Sequence, residues 1–129
     1  MKVKSKFILS ALQTVIELSE KPMKVSLAAK LLRLTDDLRK ESEYIEKQRK
    51  SIIEKYGKKD EFGELIIEDN SVHFEGENAQ LVQNELNELS EFEVDIIDRN
   101  ITEEELNQSN IELTINQYSV LENFLHKDE

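Results

Sequence analysis

The sequence predicts an α+β fold dominated by helices: an antiparallel N-terminal helical hairpin with one long helix, a small antiparallel β-sheet and two C-terminal helices. Apolar residues recur at helical spacing as far as Tyr56, and then change to the alternation that is typical of strands. Two capping-box patterns near the C-terminus indicate helix starts. A length of 129 residues suits one domain. We therefore expect a single domain over residues 1–129, with a basic helical hairpin over 1–57 and an acidic, strand-containing lobe over 58–129.

The first helix is expected over residues 5–20, where apolar side chains such as Leu12 and Val15 follow helical spacing. Polar residues, Thr14 among them, occupy much of the opposite face. The helix should end before Pro22, because the residue that precedes a proline is disfavoured in the α region.

A second, longer helix is expected from Ser26 to Tyr56, a rod of roughly 45 Å that ends at Gly57. One apolar seam follows it with a near-heptad period. Two arrangements fit this seam. Either the first and last helices cover it within one monomer, or its distal part, from Ile45 to Tyr56, projects and pairs with a partner or with a second copy. The seam consists of Leu27, Leu31, Leu34, Leu38, Ile45 and Ile52.

After Gly57 the spacing of apolar residues changes from a helical pattern to one typical of strands. Residues 64–68 and 71–74 predict two short strands around a tight turn at Asp69-Asn70, since asparagine tolerates a positive φ. Gly76 should close this hairpin.

The remaining elements are predicted from local patterns in order along the chain. Residues 77–90 should form a helix with acidic residues on its outer face. Residues 92–96 alternate apolar and acidic side chains, so we expect a strand that adds to the hairpin as a third strand. The patterns at 102–105 and 114–117 predict the starts of the two last helices.

The charge of the chain changes sign near its middle. Residues 1–60 contain 15 Lys and Arg against 9 Asp and Glu, whereas residues 61–129 contain 2 against 19. One reading of the acidic half is solubility alone; the other is that it presents carboxylates to a basic partner in place of phosphates. For a partner surface the sequence offers Ile45, Ile52, Tyr56, Glu85, Glu88, Glu91, Glu93 and Asp95.

Patterns typical of catalysis and of cofactor binding are missing from the sequence. With no Cys it can form neither disulfides nor thiolate metal sites, and its three glycines form no phosphate-binding loop. Its serines lie in no nucleophile elbow, and neither His73 nor His126 has a partner at metal-ligand spacing. We therefore expect a protein that is not an enzyme and has no cofactor, metal or small-molecule substrate.

Nucleic-acid and membrane binding are also disfavoured. The lysines and arginines of the long helix alternate with acids, and no aromatic residues are interleaved for base stacking. The start of the chain lacks the cleavage site of a signal peptide, and no apolar run is long enough to span a membrane. We expect an intracellular protein that does not bind nucleic acid directly.

Several segments in the same order carry a family resemblance. They are Pro-Met-Lys-Val-Ser (22–26), Ile-Glu-Lys-Gln-Arg-Lys-Ser-Ile-Ile-Glu-Lys-Tyr-Gly (45–57), Lys-Lys-Asp-Glu-Phe-Gly-Glu (58–64), Asn-Glu-Leu-Asn-Glu-Leu (84–89) and Glu-Val-Asp-Ile (93–96). Together they resemble an uncharacterised family of short proteins, a domain of unknown function encoded by phages and prophages mainly of Gram-positive bacteria. The resemblance implies a viral origin and a location in the host cytoplasm or in the virion.

Two functions follow as hypotheses. The first is a non-enzymatic phage protein that acts by protein–protein interaction, in virion structure and assembly or as an accessory. The alternative is an acidic inhibitor, a mimic of nucleic acid, that blocks a host nucleic-acid-binding or anti-phage defence protein. Both need a protein partner, either a basic protein or a second copy of this chain.

Overall fold

The computed structural model describes residues 1–127 and has a mostly helical α+β architecture, so the predicted fold class is confirmed. The described elements are β1 (Lys2–Lys4), a 3-10 turn (Ser5–Phe7), α1 (Ile8–Leu18), α2 (Val25–Tyr56), β2 (Ile67–Glu68), β3 (Ser71–Val72), α3 (Asn78–Glu91), β4 (Glu93–Asp95), α4 (Glu103–Gln108), α5 (Ile115–Leu121) and a second 3-10 turn (Glu122–Phe124).

Helices α1 and α2 form the N-terminal hairpin and bury their apolar faces against each other. Thr14 was expected on the polar face of the first helix, but it is buried. The reason is its position three residues after Ala11 and four before Leu18, since residues at this spacing share one helix face. The buried side chains of the two helices are Ile8, Ala11, Thr14, Val15, Leu18, Leu27, Leu31, Leu34 and Leu38.

The distal half of α2 packs against α3, which runs back along it. Asn78, at the start of α3, donates its side-chain amide to the carbonyl of Tyr56, 3.4 Å away at the end of α2. At the other end of α3, Phe92 lines a groove together with Tyr44 of α2. The seam of the long helix is therefore covered within the monomer, by α1 along its first half and by α3 along its second.

Gly57 ends α2 for a different reason from the one that the sequence indicates. Its backbone is extended, with φ −65° and ψ 142°, so no left-handed cap is formed. A Cβ atom at this position would lie 2.4 Å from Cδ2 of Leu65 and 2.9 Å from Cγ1 of Val72. Glycine is needed here because the β2–β3 region packs directly on the end of the helix.

The prediction of a third strand on the hairpin is wrong. The 92–96 strand is present as β4, but it pairs antiparallel with β1, giving two separate two-stranded sheets. Val3 lies opposite Val94, and both side chains are buried. Strands β1 and β4 have the same alternation of charged and apolar residues but opposite charges. The two strands therefore complement each other although they lie near opposite ends of the sequence.

The hairpin of β2 and β3 has the predicted turn. Asp69 and Asn70 adopt φ values of 51° and 63°, as expected for a two-residue turn with positive φ at both positions. The strands are shorter than predicted, since regular pairing is confined to Ile67 opposite Val72 and Glu68 opposite Ser71.

The last two helices begin at the predicted caps. The Thr102 hydroxyl accepts the backbone N–H of Glu105, and Thr114 forms a reciprocal capping box with Gln117. Helix α5 is short and passes into the second 3-10 turn at Leu121. One apolar core unites the described chain from Val3 to Leu125, so residues on both sides of Gly57 contribute to it.

Candidate interaction surfaces

The apolar residues predicted for partner binding lie against the chain itself. Ile45 is partly buried and packs on the core. Ile52 is half-buried in the groove between α2 and α3, beside Leu89. Tyr56 is half-buried, and the Lys55 ammonium lies 4.9 Å from the centre of its ring. All three side chains are thus partly buried within the chain, and only Ile52 lines the groove between α2 and α3.

Two of the five predicted acidic residues, Glu91 and Glu85, form ion pairs with lysines of the same chain. The Glu91 carboxylate lies 2.6 Å from Nζ of Lys4 and 2.8 Å from Nζ of Lys6. Hydrogen bonds from these two ammonium groups lower the pKa of Glu91 from 4.5 to about 2. Glu85 accepts a hydrogen bond from Lys55 at 3.3 Å.

The remaining predicted acids lie on β4 and on α3. Glu93 and Asp95 are exposed on β4, directly opposite Lys4 and Lys2 of β1. Opposite charges at such cross-strand positions attract each other. Glu88 is exposed and lines the groove between α2 and α3. The N-terminal strand and the end of α2 thus neutralise part of the predicted acidic surface, namely Glu91 and Glu85.

Further ion pairs link the basic half to the acidic half. Lys30 on α2 lies 2.6 Å from Glu105 on α4, and Lys58 lies 2.8 Å from Glu75. Part of the charge split along the sequence is therefore matched internally, because Glu75, Glu85, Glu91 and Glu105 pair with lysines of the basic half.

The residues that follow α2 form a compact unit, residues 58–74, which we call the distal β-segment. The backbone N–H of Lys58 donates to the carbonyl of His73 at 2.7 Å, and the N–H of Ile66 donates to the carbonyl of Lys58 at 2.9 Å. Together with the β2–β3 hairpin, these bonds join three short stretches of chain. Because Leu65 and Val72 pack against Gly57, the segment is fixed at the end of the long helix.

A tight turn at the tip of the distal β-segment presents Phe62. One carboxylate oxygen of Asp60 accepts the backbone N–H groups of Phe62 and Glu64, at 2.8 and 3.0 Å. Gly63 completes the turn with φ +79°, and the N–H of Asp60 donates to the carbonyl of Glu64 at 2.8 Å. The Phe62 side chain is 82% exposed, although its backbone is held by these bonds.

The carboxylates near Phe62 differ from those on α3. Among residues 1–127, no ion pair joins Glu61, Glu64 or Asp69 to a cation of this chain. The tip therefore combines an exposed aromatic ring with free negative charge. Sequence reasoning missed this surface; the available signal was the Asp60-x-x-Gly63 turn pattern, which places Phe62 where no neighbouring element can cover it.

Each of the two histidines contacts a carboxylate. His73 Nε2 lies 3.0 Å from Glu68, and His126 Nδ1 lies 2.6 Å from Asp98. The hydrogen bond from His126 lowers the pKa of Asp98. Within residues 1–127, no group of three or more His, Asp or Glu side chains is arranged to hold a metal ion.

None of the helices in residues 1–127 combines the length and apolar character needed to cross a membrane. No protein-family model, curated protein or solved structure matches the chain.

Proposed function

We propose that this chain is a non-enzymatic phage protein that acts by protein–protein interaction, in virion assembly or as an accessory, in the host cytoplasm or the virion. The observation that carries the proposal is the 82% exposure of Phe62 on a turn fixed by Asp60. Aromatic side chains are enriched among the residues that dominate binding energy at protein interfaces. A ring on a preorganised turn also loses little conformational freedom when it binds.

The charges around Phe62 favour a basic partner. Glu61 and Glu64 flank the ring in sequence, and both are exposed. A complementary surface would offer an apolar pocket for the ring with Lys or Arg at its rim. Because rim charges are screened by salt, binding should weaken as the ionic strength rises.

The acidic-inhibitor hypothesis is the second candidate, and the carboxylates of the distal β-segment are what favour it. The larger acidic surface that the sequence indicates on α3 and β4 supports it less, because Lys4, Lys6 and Lys55 already pair with Glu91 and Glu85. A mimic of nucleic acid needs many free carboxylates, whereas an anchored protein contact needs one ring and a few charges. The first function is therefore the better supported.

The test is affinity capture from infected host cells with the original protein and with Phe62→Ser. Ile115→Ser is the matched control, because Ile115 is 88% exposed on α5. We expect virion or assembly proteins to be captured, with a loss of at least about tenfold for Phe62→Ser and none for the control. Capture of a host nucleic-acid-binding enzyme would favour the inhibitor, and a partner that Phe62→Ser retains in full would contradict the proposed anchor.

A further inference from the structure

A second apolar surface lies on the helical hairpin, along the groove between α1 and α2, which we call the α1–α2 groove. Its volume is about 460 Å³. Val15 and Leu31 form its buried floor, while Ile16 and Leu32 are 41% and 63% exposed at its sides. Each exposed side chain follows a buried core residue in sequence, Ile16 after Val15 and Leu32 after Leu31.

The charged residues that line the α1–α2 groove are both cations. Lys21 lies at the loop between the helices, and Arg39 lies farther along α2. Arg33 is exposed on the same half of α2, with Asp36 between the two arginines in sequence. The Lys21 ammonium group donates to the backbone carbonyl of Glu112, which leaves its charge uncompensated, whereas Lys30 and Asp37 are used in ion pairs with the acidic half of the chain. The groove is thus apolar at its centre and positive towards its ends.

The length of the groove fits a short helix. Ala28 and Arg39 both line it, and the rise of α2 between them is about 16 Å. Three turns of a helix cover this distance and place apolar residues at i, i+4 and i+7 over Ile16 and Leu32. We infer that the α1–α2 groove binds an acidic amphipathic helix of a partner protein, with carboxylates near both ends of that helix facing Lys21 and Arg39.

A second copy of this chain is a poorer occupant, because neither α3 nor α5 offers such a face. Helix α3 is acidic, but its apolar face is packed on α2 with Val82 buried. Helix α5 exposes Ile115 but has only 7 residues, about 10 Å, which is shorter than the groove.

This inference goes beyond the proposed function, because it concerns a different surface and a partner of opposite charge. Along α2, Arg39 and Gly57 are separated by roughly 27 Å. That separation is well beyond the Debye length of about 8 Å at physiological ionic strength, so the distal β-segment does not cancel the local positive charge.

The test uses a synthetic, fluorescein-labelled peptide of about 14 residues, with leucines on one helix face and glutamates near both ends. Its binding is measured by fluorescence anisotropy against the full-length protein. Leu32→Ser and Arg39→Glu should each weaken binding by about tenfold. Two matched controls, Ile115→Ser and Arg49→Glu, lie outside the groove and should change it less than about threefold.

Three results would overturn the inference. One is no binding at peptide concentrations up to about 1 mM, and another is equal loss in the control variants. The third is equal affinity for a peptide in which lysines replace the glutamates. Light scattering tests the other possible occupant, a second copy of this chain. If the protein is a dimer and Leu32→Ser dissociates it, the groove binds a second copy, and the inference of an acidic helix is contradicted. Should Leu32→Ser unfold, Arg39→Glu on the exposed rim decides the matter.

Discussion

Arg99 and Asp37 form a two-point ion pair that joins the segment after β4 to the middle of α2. Nε of Arg99 lies 2.8 Å from Oδ2 of Asp37, and Nη2 lies 2.9 Å from Oδ1. The hydrogen bond to Asp37 raises the pKa of Arg99 above its ordinary value. Arg99 is one of two basic residues after residue 60, the other being Lys127. Arg99 thus joins the acidic half of the chain to the long helix.

Arg99→Lys should lower the urea midpoint of unfolding although the charge is kept. Lysine is a point charge and cannot form the two parallel N–H···O bonds of the guanidinium. Arg49→Lys is the control, because Arg49 lies 3.7 Å from Glu46 in a more exposed pair. Equal midpoints for the two variants would show that the two-point geometry contributes nothing.

Gly57→Ala should destabilise the fold by about 1–3 kcal/mol, as is typical of overpacking. Alanine has the better helix propensity, and the φ of −65° at this position suits it, so the expected loss comes from contact alone. The added Cβ would meet Leu65, Val72 and the carbonyl oxygen of Ile53, the last at 2.9 Å. Urea denaturation measures the loss.

Leu65→Ala serves as the second arm of a double-mutant cycle with Gly57→Ala. It removes the closest contact, Cδ2 at 2.4 Å, so the two changes together should cost less than their sum. Strictly additive losses would contradict the packing of the distal β-segment on the end of α2.

The sequence was sufficient to predict the elements whose signals are local. The predicted helix over 77–90 is observed as Asn78–Glu91, because its apolar spacing and flanking residues lie within one stretch. The Asp69-Asn70 turn was predicted from two residues that tolerate positive φ. The partner of β4 was not predicted, since β1 is three residues long and its pairing depends on the packing of the whole chain.

The candidate interaction surface was predicted less well, for a related reason. An acidic run predicts negative charge, but whether that charge is free depends on where distant lysines lie. Glu91 is paired because β1 brings Lys4 and Lys6 to it. No sequence pattern singles out Phe62, since phenylalanine is more often buried than exposed, and its exposure follows from the turn that Asp60 stabilises.

Ile52→Asp should destabilise the monomer by about 1–3 kcal/mol, because it would place a further carboxylate between α2 and α3, where the Lys55 ammonium group already pairs with Glu85. Ile52 lines the groove beside Glu85 and Glu88, so repulsion adds to the cost of desolvation. The free energy of unfolding from urea denaturation measures the loss, and light scattering checks the mass before and after the change. Lys47→Asp, on the exposed side of α2, is the control. If light scattering finds a dimer for the original protein and a stable monomer for Ile52→Asp, the seam of α2 lies between two copies instead.

Glu91→Gln should make the stability of the folded protein depend less on pH in the acidic range. The pKa of Glu91 is about 2 in the folded protein and 4.5 ordinarily, so the unfolded chain binds a proton first as the pH falls. The stabilisation by Lys4 and Lys6 is therefore complete above pH 4.5 and is lost progressively between about 4.5 and about 2. The measurement is the urea midpoint of both proteins across this range, with Glu88→Gln as a matched control on the exposed face of α3. At about 1 M NaCl the difference should shrink, because the side chains of Lys4 and Glu91 are 45% and 50% exposed and their attraction is screened. Parallel profiles for the original protein and Glu91→Gln would mean that the two lysines do not hold this carboxylate in solution.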